Sequence, residues 1–270
     1  MLKVFFKKIN KKYQKISQPV KFNAYSNNTI NEFPDKDKLN KKNYKLKIIT
    51  AYDNNFSKIG DITSKNMKNY SKKFNLEFEK FNLIDNNRPA SWSKVQLIKK
   101  EIIKKTNDFV MWVDADAFFS INSNNILHEL DDINEIFLVS HFSEVHKGSR
   151  FKNTVLGINR INCGVLVFRV SDFNLEFLSN VWKKDEYINH PWWEQAAIMD
   201  VINLKADLTG NLNDHKGNDY YLSKMKFLSK EWNSIPSRKR LSTESMNPSI
   251  IHLAGMNMEE RIAFLKKYNK

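Results

Sequence analysis

A single cysteine, Cys163, occurs in the 270 residues. That excludes a disulfide framework within the chain and any cysteine-rich zinc module. No apolar run approaches the ~18 residues that a bilayer-spanning helix needs. A secretory leader is not visible either, because Met1 to Ile16 interleaves Lys3, Lys7, Lys8, Lys11, Lys12 and Lys15 with its apolar positions. The expected setting is therefore cytoplasmic and reducing. Disorder over most of the chain is excluded by 41% hydrophobic and 27% charged residues. The length fits one large domain with a small extension.

Glycine is also scarce, at 7 against 34 asparagines. Lysine and asparagine fill tolerant surface positions throughout, which reads as compositional drift. The net charge of +14 must be discounted accordingly, since a lysine run here is first a solvated face. The triplets at Asn27, Asn55 and Asn69 that match a glycosylation acceptor carry nothing for the same reason.

Residues 1–44 read as a basic helix followed by a polar linker, and residues 45–270 as the folded domain. In the helix, Leu2, Phe5, Phe6, Ile9, Tyr13 and Ile16 recur at spacings of three and four. It packs on the domain in one reading and lies peripherally on anionic lipid in the other. In the domain, strands are expected at Leu46–Ala51, Leu76–Phe81, Asp108–Val113, Ile136–Ser140, Ile161–Val170 and Ile250–Leu253. Helices are expected at Ser57–Phe74, Ser93–Lys105, Leu175–Trp182, Glu194–Leu204 and Met258–Tyr268. In the second of these, Val95, Leu97, Ile98, Ile102 and Ile103 form the expected buried face. Strands alternating with helices give an α/β architecture with a mostly parallel sheet flanked by helices.

The most informative stretch is Val110–Phe119, where an apolar strand ends in Asp114-Ala115-Asp116. Ligands of open α/β sheets bind beyond the carboxyl ends of strands. Two carboxylates there repel one another unless a positive group lies beside them. A divalent ion answers this, and carboxylate oxygens suit Mg²⁺ or Mn²⁺. The bland alternative is a strand-end turn with solvated carboxylates. One chemistry with this arrangement is the phosphatase type with a nucleophilic first Asp, but Phe118 is wrong for it. The other is nucleotide-sugar glycosyl transfer, with the metal on the donor diphosphate.

Several further segments bear on that choice. Trp92-Ser93-Lys94-Val95-Gln96-Leu97-Ile98 precedes Trp112-Val113-Asp114-Ala115-Asp116-Ala117 by about twenty residues. Asn162-Cys163-Gly164-Val165-Leu166-Val167-Phe168-Arg169, Glu194-Gln195-Ala196-Ala197 and His252-Leu253-Ala254-Gly255 follow in order. Together with Ile48–Asp53 this set resembles glycosyltransferase family 34, the fungal galactosyl- and mannosyltransferases and plant xyloglucan xylosyltransferases. The resemblance spans roughly residues 46–257. It implies a GT-A fold and a retaining, metal-dependent enzyme that moves a hexose or pentose from a UDP- or GDP-sugar to a glycan acceptor.

The resemblance also implies roles. His252 joins Asp114 and Asp116 as the third metal ligand, where a lone histidine would otherwise read as a core residue. Thr50, Ala51, Tyr52 and Asp53 line the donor nucleotide, with Tyr52 readable equally as a packing aromatic. Lys94 contacts the diphosphate or fixes an aspartate, against the bland alternative of an exposed helix lysine. Ala115 lies beside the donor, and Gly255 allows close backbone approach to its phosphates. Asn162, Gly164 and Gln195 face the donor sugar. Glutamine at the sugar's far face would favour front-side attack over a covalent intermediate. Glu194 shares the catalytic position, but Trp193 stands where the family often has a second acid, so its role is open. The family lysine after H-x-x-G is also missing; Arg261, Lys266 or Lys267 is the available cation. Trp192 and Trp193 read either as an acceptor platform or as a core wedge.

Two rival functions come from other classes. A basic nucleic-acid-binding protein has only the net charge in its favour, with no helix-turn-helix, zinc or RNP-type signature, so no nucleic-acid partner is expected. An inactive glycosyltransferase-like scaffold is disfavoured by retention of both Asp114 and Asp116.

Overall fold

The computed structural model describes residues 43–84, 87–143, 158–204, 218–236 and 244–268. The expected N-terminal helix and nearly all of the polar linker lie outside these residues. Among the described residues, no helix is long and apolar enough to cross a membrane.

A six-stranded sheet forms the centre. Its strands are β1 (Leu46–Ala51), β2 (Glu77–Phe81), β3 (Phe109–Val113), β5 (Ile136–Ser143), β6 (Ile158–Arg169) and β7 (Met225–Leu228), in the order β2-β1-β3-β6-β5-β7. β1 pairs in parallel with β2 and β3, and β5 with β7, while β6 is antiparallel to both its neighbours. All strands but β6 therefore run one way, giving the mostly parallel sheet expected. A separate two-stranded sheet joins β4 (Ala117–Phe119) to β8 (Ile250–His252), antiparallel.

Strand alternation divides the core between the sheet faces. Ile49, Val110, Trp112, Leu166 and Phe168 pack on one face with Leu97 and Ile98 of α2 (Ser93–Lys104), Phe177 of α3 (Asp172–Trp182) and Ala197 of α4 (Trp193–Val201). On the other face Ile48, Met111, Val113 and Val165 meet Met67 and Tyr70 of α1 (Ser57–Lys73), Phe119 of β4 and Trp232. A short helical segment, α5 (Asp219–Leu222), precedes β7. The terminal helix α6 (Met258–Tyr268) sets Leu265 against Ile59, Phe118 and Ile251.

The sequence reading is corrected at several points. Ile103 is 58% exposed rather than buried, because α2 turns it away from the sheet and instead buries Lys94 and Glu101. Glu101 can be buried because Lys47 donates to it at 2.9 Å, and Lys104 at 2.6 Å. α3 begins three residues earlier than expected, where the Ser171 hydroxyl caps it by accepting from the Asn174 N–H. Neither β4 nor β7 was anticipated.

Candidate metal and donor site

The antiparallel run of β6 builds the site. It brings residues 162–164 beyond the carboxyl end of β3, where the Asp114 N–H donates to the Gly164 carbonyl at 2.8 Å. The chain then turns tightly, closed by the Ala117 N–H on the Asp114 carbonyl, and enters β4. The hydroxyl of Thr63 on α1 holds the Ala115 carbonyl at 2.7 Å, fixing the middle of the turn. Register in the small sheet sets His252 opposite Ala117, beside Asp116. A bridge from Ser234 to Ile251 draws Asn233 to the same place.

Asp114, Asp116 and His252 are thus assembled from the end of β3, the following turn and β8. One ligand atom from each lies within 4.8 Å of the others. His252 Nε2 is 3.2 Å from Asp116 Oδ1 and 3.8 Å from Asp114 Oδ2. Burial would lower the His252 pKa, but the Asp116 and Asp114 carboxylates outweigh it and raise it. Asp116 shifts the other way: burial would raise it, and His252 with Arg261 holds it below the usual carboxylate range.

Gly164 is required by this packing. A Cβ built there would lie 2.1 Å from His252 Cε1 and 2.5 Å from Nδ1. The imidazole therefore lies against bare backbone. Gly255 differs: its φ of 73° favours glycine, yet nothing lies near the missing Cβ. Its requirement is conformational.

Lys94 is only 3% exposed, so the exposed-helix alternative falls. Its ammonium donates to the Cys163 carbonyl at 2.7 Å and to Glu194 Oε1 at 2.8 Å, and lies 3.1 Å from Asp114 Oδ1. Burial opposes its charge, but Asp114 and Glu194 overcome that and raise the pKa, so Lys94 remains an ammonium. With Trp112 Nε1 also donating to Asp114 Oδ1, that carboxylate is oriented with Oδ2 toward His252. Glu194 Oε2 is buried with no hydrogen-bond partner among the described residues. Gln195 Oε1 accepts from the Cys163 N–H at 3.2 Å.

Arg261 reaches in from α6. Its Nη2 lies 2.9 Å from Asp116 Oδ2, and its guanidinium covers Phe56 at 5.4 Å. Of the three cations considered after H-x-x-G, this one is on the site.

The β1 end is arranged differently. Tyr52 is buried, its hydroxyl donating to Asp61 at 2.7 Å, with its ring against Gly60 and under Lys80 at 4.5 Å. Burial pushes its pKa up to about 12. The Tyr52 side chain is thus packed within the fold. Asp53 accepts from the Phe56 N–H at the start of a 3-10 turn. Ala51 is buried at the strand end, and the Thr50 hydroxyl is buried without a partner among the described residues. Trp192 packs partly buried against the core, its ring 5.7 Å from His190. Trp193 is 44% exposed with φ of 43°, in the left-handed region. Asn233, absent from the sequence reading, is buried between Asn162 and His252. No sequence signal separated it from the other asparagines.

The donor set suits a hard divalent ion: two carboxylates and one imidazole, convergent and able to leave positions for substrate. No family model and no curated protein matches the sequence. Solved structures do match in fold. A glycosyltransferase involved in glycosylation of the major capsid of PBCV-1 aligns over 83% of this chain and 99% of its own, at 13% identity and TM-score 0.56. The galactosyltransferase LgtC, solved with donor and acceptor sugar analogs, aligns over 83% of this chain and 94% of its own, at 11% identity and TM-score 0.51. The chain has the GT-A glycosyltransferase fold.

Proposed function

We propose that this protein is a retaining glycosyltransferase that moves a sugar from a nucleoside-diphosphate sugar to a glycan acceptor, with Mn²⁺ or Mg²⁺ held by Asp114, Asp116 and His252. The observation that carries the reading is the convergence of these three ligand atoms at the strand ends of a GT-A fold. When bound, the ion supplies Lewis-acid stabilisation to the departing diphosphate. Arg261 adds positive charge on the same side, where negative charge builds as the leaving group departs. Lys94 keeps Asp114 oriented and balances Glu194.

Among the described residues Glu194 Oε2 has no hydrogen-bond partner, and a buried acceptor of this kind suits a donor-sugar hydroxyl. Gln195 offers a carboxamide that cannot become a stable covalent nucleophile, which favours front-side attack. Asn162 and Gly164 border this region from β6, and Thr50, Ala51, Asp53 and Ala115 border the nucleotide side. Product stereochemistry tests the retaining assignment. An α-linked donor gives an α-linked product, read from the anomeric proton of the early product by NMR; a β product overturns it.

Trp193 supports the acceptor side. A large aromatic half-exposed and at positive φ is disfavoured on both counts. It directly precedes Glu194 and Gln195, where strain is commonly retained for function. Its indole face would take the C–H face of an acceptor pyranose. Trp193→Ala should raise the acceptor KM about tenfold, or ~1.4 kcal/mol of binding, with kcat changed far less. An unchanged acceptor KM would remove Trp193 from the acceptor site.

A further inference from the structure

The polarity of one hydrogen-bond chain beneath the metal ligands can be read from the backbone. The Gly164 N–H donates to the side chain of Asn162 at 2.9 Å. A backbone N–H only donates, so the atom it meets is the amide oxygen, and the Asn162 amide has one orientation. The same Oδ1 lies 2.9 Å from the Asn233 side chain. An amide oxygen only accepts, so Asn233 presents Nδ2 to it. The opposite atom of that amide, Oδ1, therefore faces His252 Nδ1 at 2.9 Å. It too can only accept, so Nδ1 carries the hydrogen. Without a metal, Nε2 also donates, to Asp116 Oδ1 at 3.2 Å, since a carboxylate only accepts. A bound ion would take the place of that hydrogen, and with Nδ1–H kept by Asn233 the lone pair offered to it is the one on Nε2. That atom is the one aimed at Asp116 Oδ1 and Asp114 Oδ2.

We propose that Asn162 and Asn233 are positioning residues that select the His252 tautomer able to ligate a divalent cation. The order of information is Gly164 N–H, Asn162, Asn233, His252 Nδ1–H, and Nε2 as the ligating atom. Asn233 is fully buried and His252 nearly so, which leaves this amide as the fixed partner of Nδ1. If the Asn233 amide were reversed, Nδ2–H would meet Nδ1 and place the imidazole hydrogen on Nε2, where it blocks ligation. The inference rests on the metal-centre reading of Asp114, Asp116 and His252.

The test is Mn²⁺ affinity of the full chain by titration calorimetry, with thermal melts to confirm folding. Asn233 Nδ2 also donates to the Asn162 carbonyl at 3.3 Å, which an alanine keeps, so Asn162→Ala loosens the Asn233 amide, whereas Asn233→Ala removes the acceptor outright. Asn233→Ala should weaken Mn²⁺ binding about 10- to 100-fold, the range for partners that orient a ligating histidine, and Asn162→Ala should weaken it by a smaller factor. Asn162→Asp keeps an acceptor for both donors and should bind no more weakly than wild type. Nitrogen-15 NMR of the Mg²⁺-loaded protein should show His252 with its hydrogen on Nδ1 in wild type, and the loss of that ordered Nδ1–H signal in Asn233→Ala. Asn162→Ala lies at a half-buried position, so it keeps the proposal testable if Asn233→Ala does not fold. Equal Mn²⁺ affinity in wild type and the alanine variants, or no hydrogen on Nδ1 in the Mg²⁺-loaded wild type, overturns the proposal alone. Absence of Mn²⁺ binding in wild type overturns the metal-centre reading and the proposal with it.

Discussion

Gly164→Ala should weaken metal binding at the site about 10²-fold or more while leaving the chain folded. The added methyl would sit within 3 Å of three His252 ring atoms, 2.1 Å from the nearest. A buried ring held by Asn233 at Nδ1 has no flexible end to swing away. The imidazole must leave its position or β6 must shift, and β6 is paired on both sides, to β3 and to β5. Moving the ring is the easier relief, and it removes one of three ligands. Mn²⁺ affinity and donor turnover should each fall about 10²-fold or more. The overpacking itself should lower stability by about 1–3 kcal/mol, visible as a reduced melting temperature. Full Mn²⁺ affinity in this variant would contradict the displacement of a ligating His252.

Asp116→Asn should be similarly damaging to turnover and gentler on the fold. The substitution preserves shape but removes the charge that faces both His252 Nε2 and Arg261 Nη2. The turn remains held, because the Asp116 carbonyl still accepts from the Leu253 N–H at 3.0 Å. A loss of about 10²-fold or more in kcat is expected, the scale for removing a main electrostatic stabiliser. Steady-state kinetics at saturating donor reads this. A variant within a few-fold of wild type would place the charge that matters elsewhere.

Much of this site is written in local sequence, and the remainder is not. The strand Phe109–Val113 is legible because it is buried on both faces and reads as a continuous apolar run, and Leu46–Ala51 because its β-branched residues favour a strand. The Asp114-Ala115-Asp116 turn stood out because charge follows such a run abruptly. The terminal helix was placed at Met258–Tyr268 as observed. By contrast, β4 is three residues long and follows the aspartates without a turn signal of its own. Its pairing with β8 joins segments more than 130 residues apart in sequence, and no local pattern encodes that. The resemblance offers Lys94 as a residue that fixes an aspartate, and it lies 3.1 Å from Asp114 Oδ1; nothing local in the sequence shows that Glu194, from α4, shares its burial. Asn233 was hidden by composition, since asparagine is too frequent in this chain for any one to draw notice. Ile103 was misplaced because periodicity alone admits one more apolar position than the face of α2 can bury.

The central claim is that Asp114, Asp116 and His252 hold a divalent ion that serves a nucleoside-diphosphate sugar. The direct measurement is turnover of a panel of UDP- and GDP-sugars by the full chain, scored as hydrolysis or transfer, with Mn²⁺ and with excess chelator. The account predicts that at least one donor turns over with Mn²⁺, that chelation abolishes this, and that added Mn²⁺ restores it. Full turnover in excess chelator would contradict it, as would no binding of any donor in the panel with Mn²⁺ present.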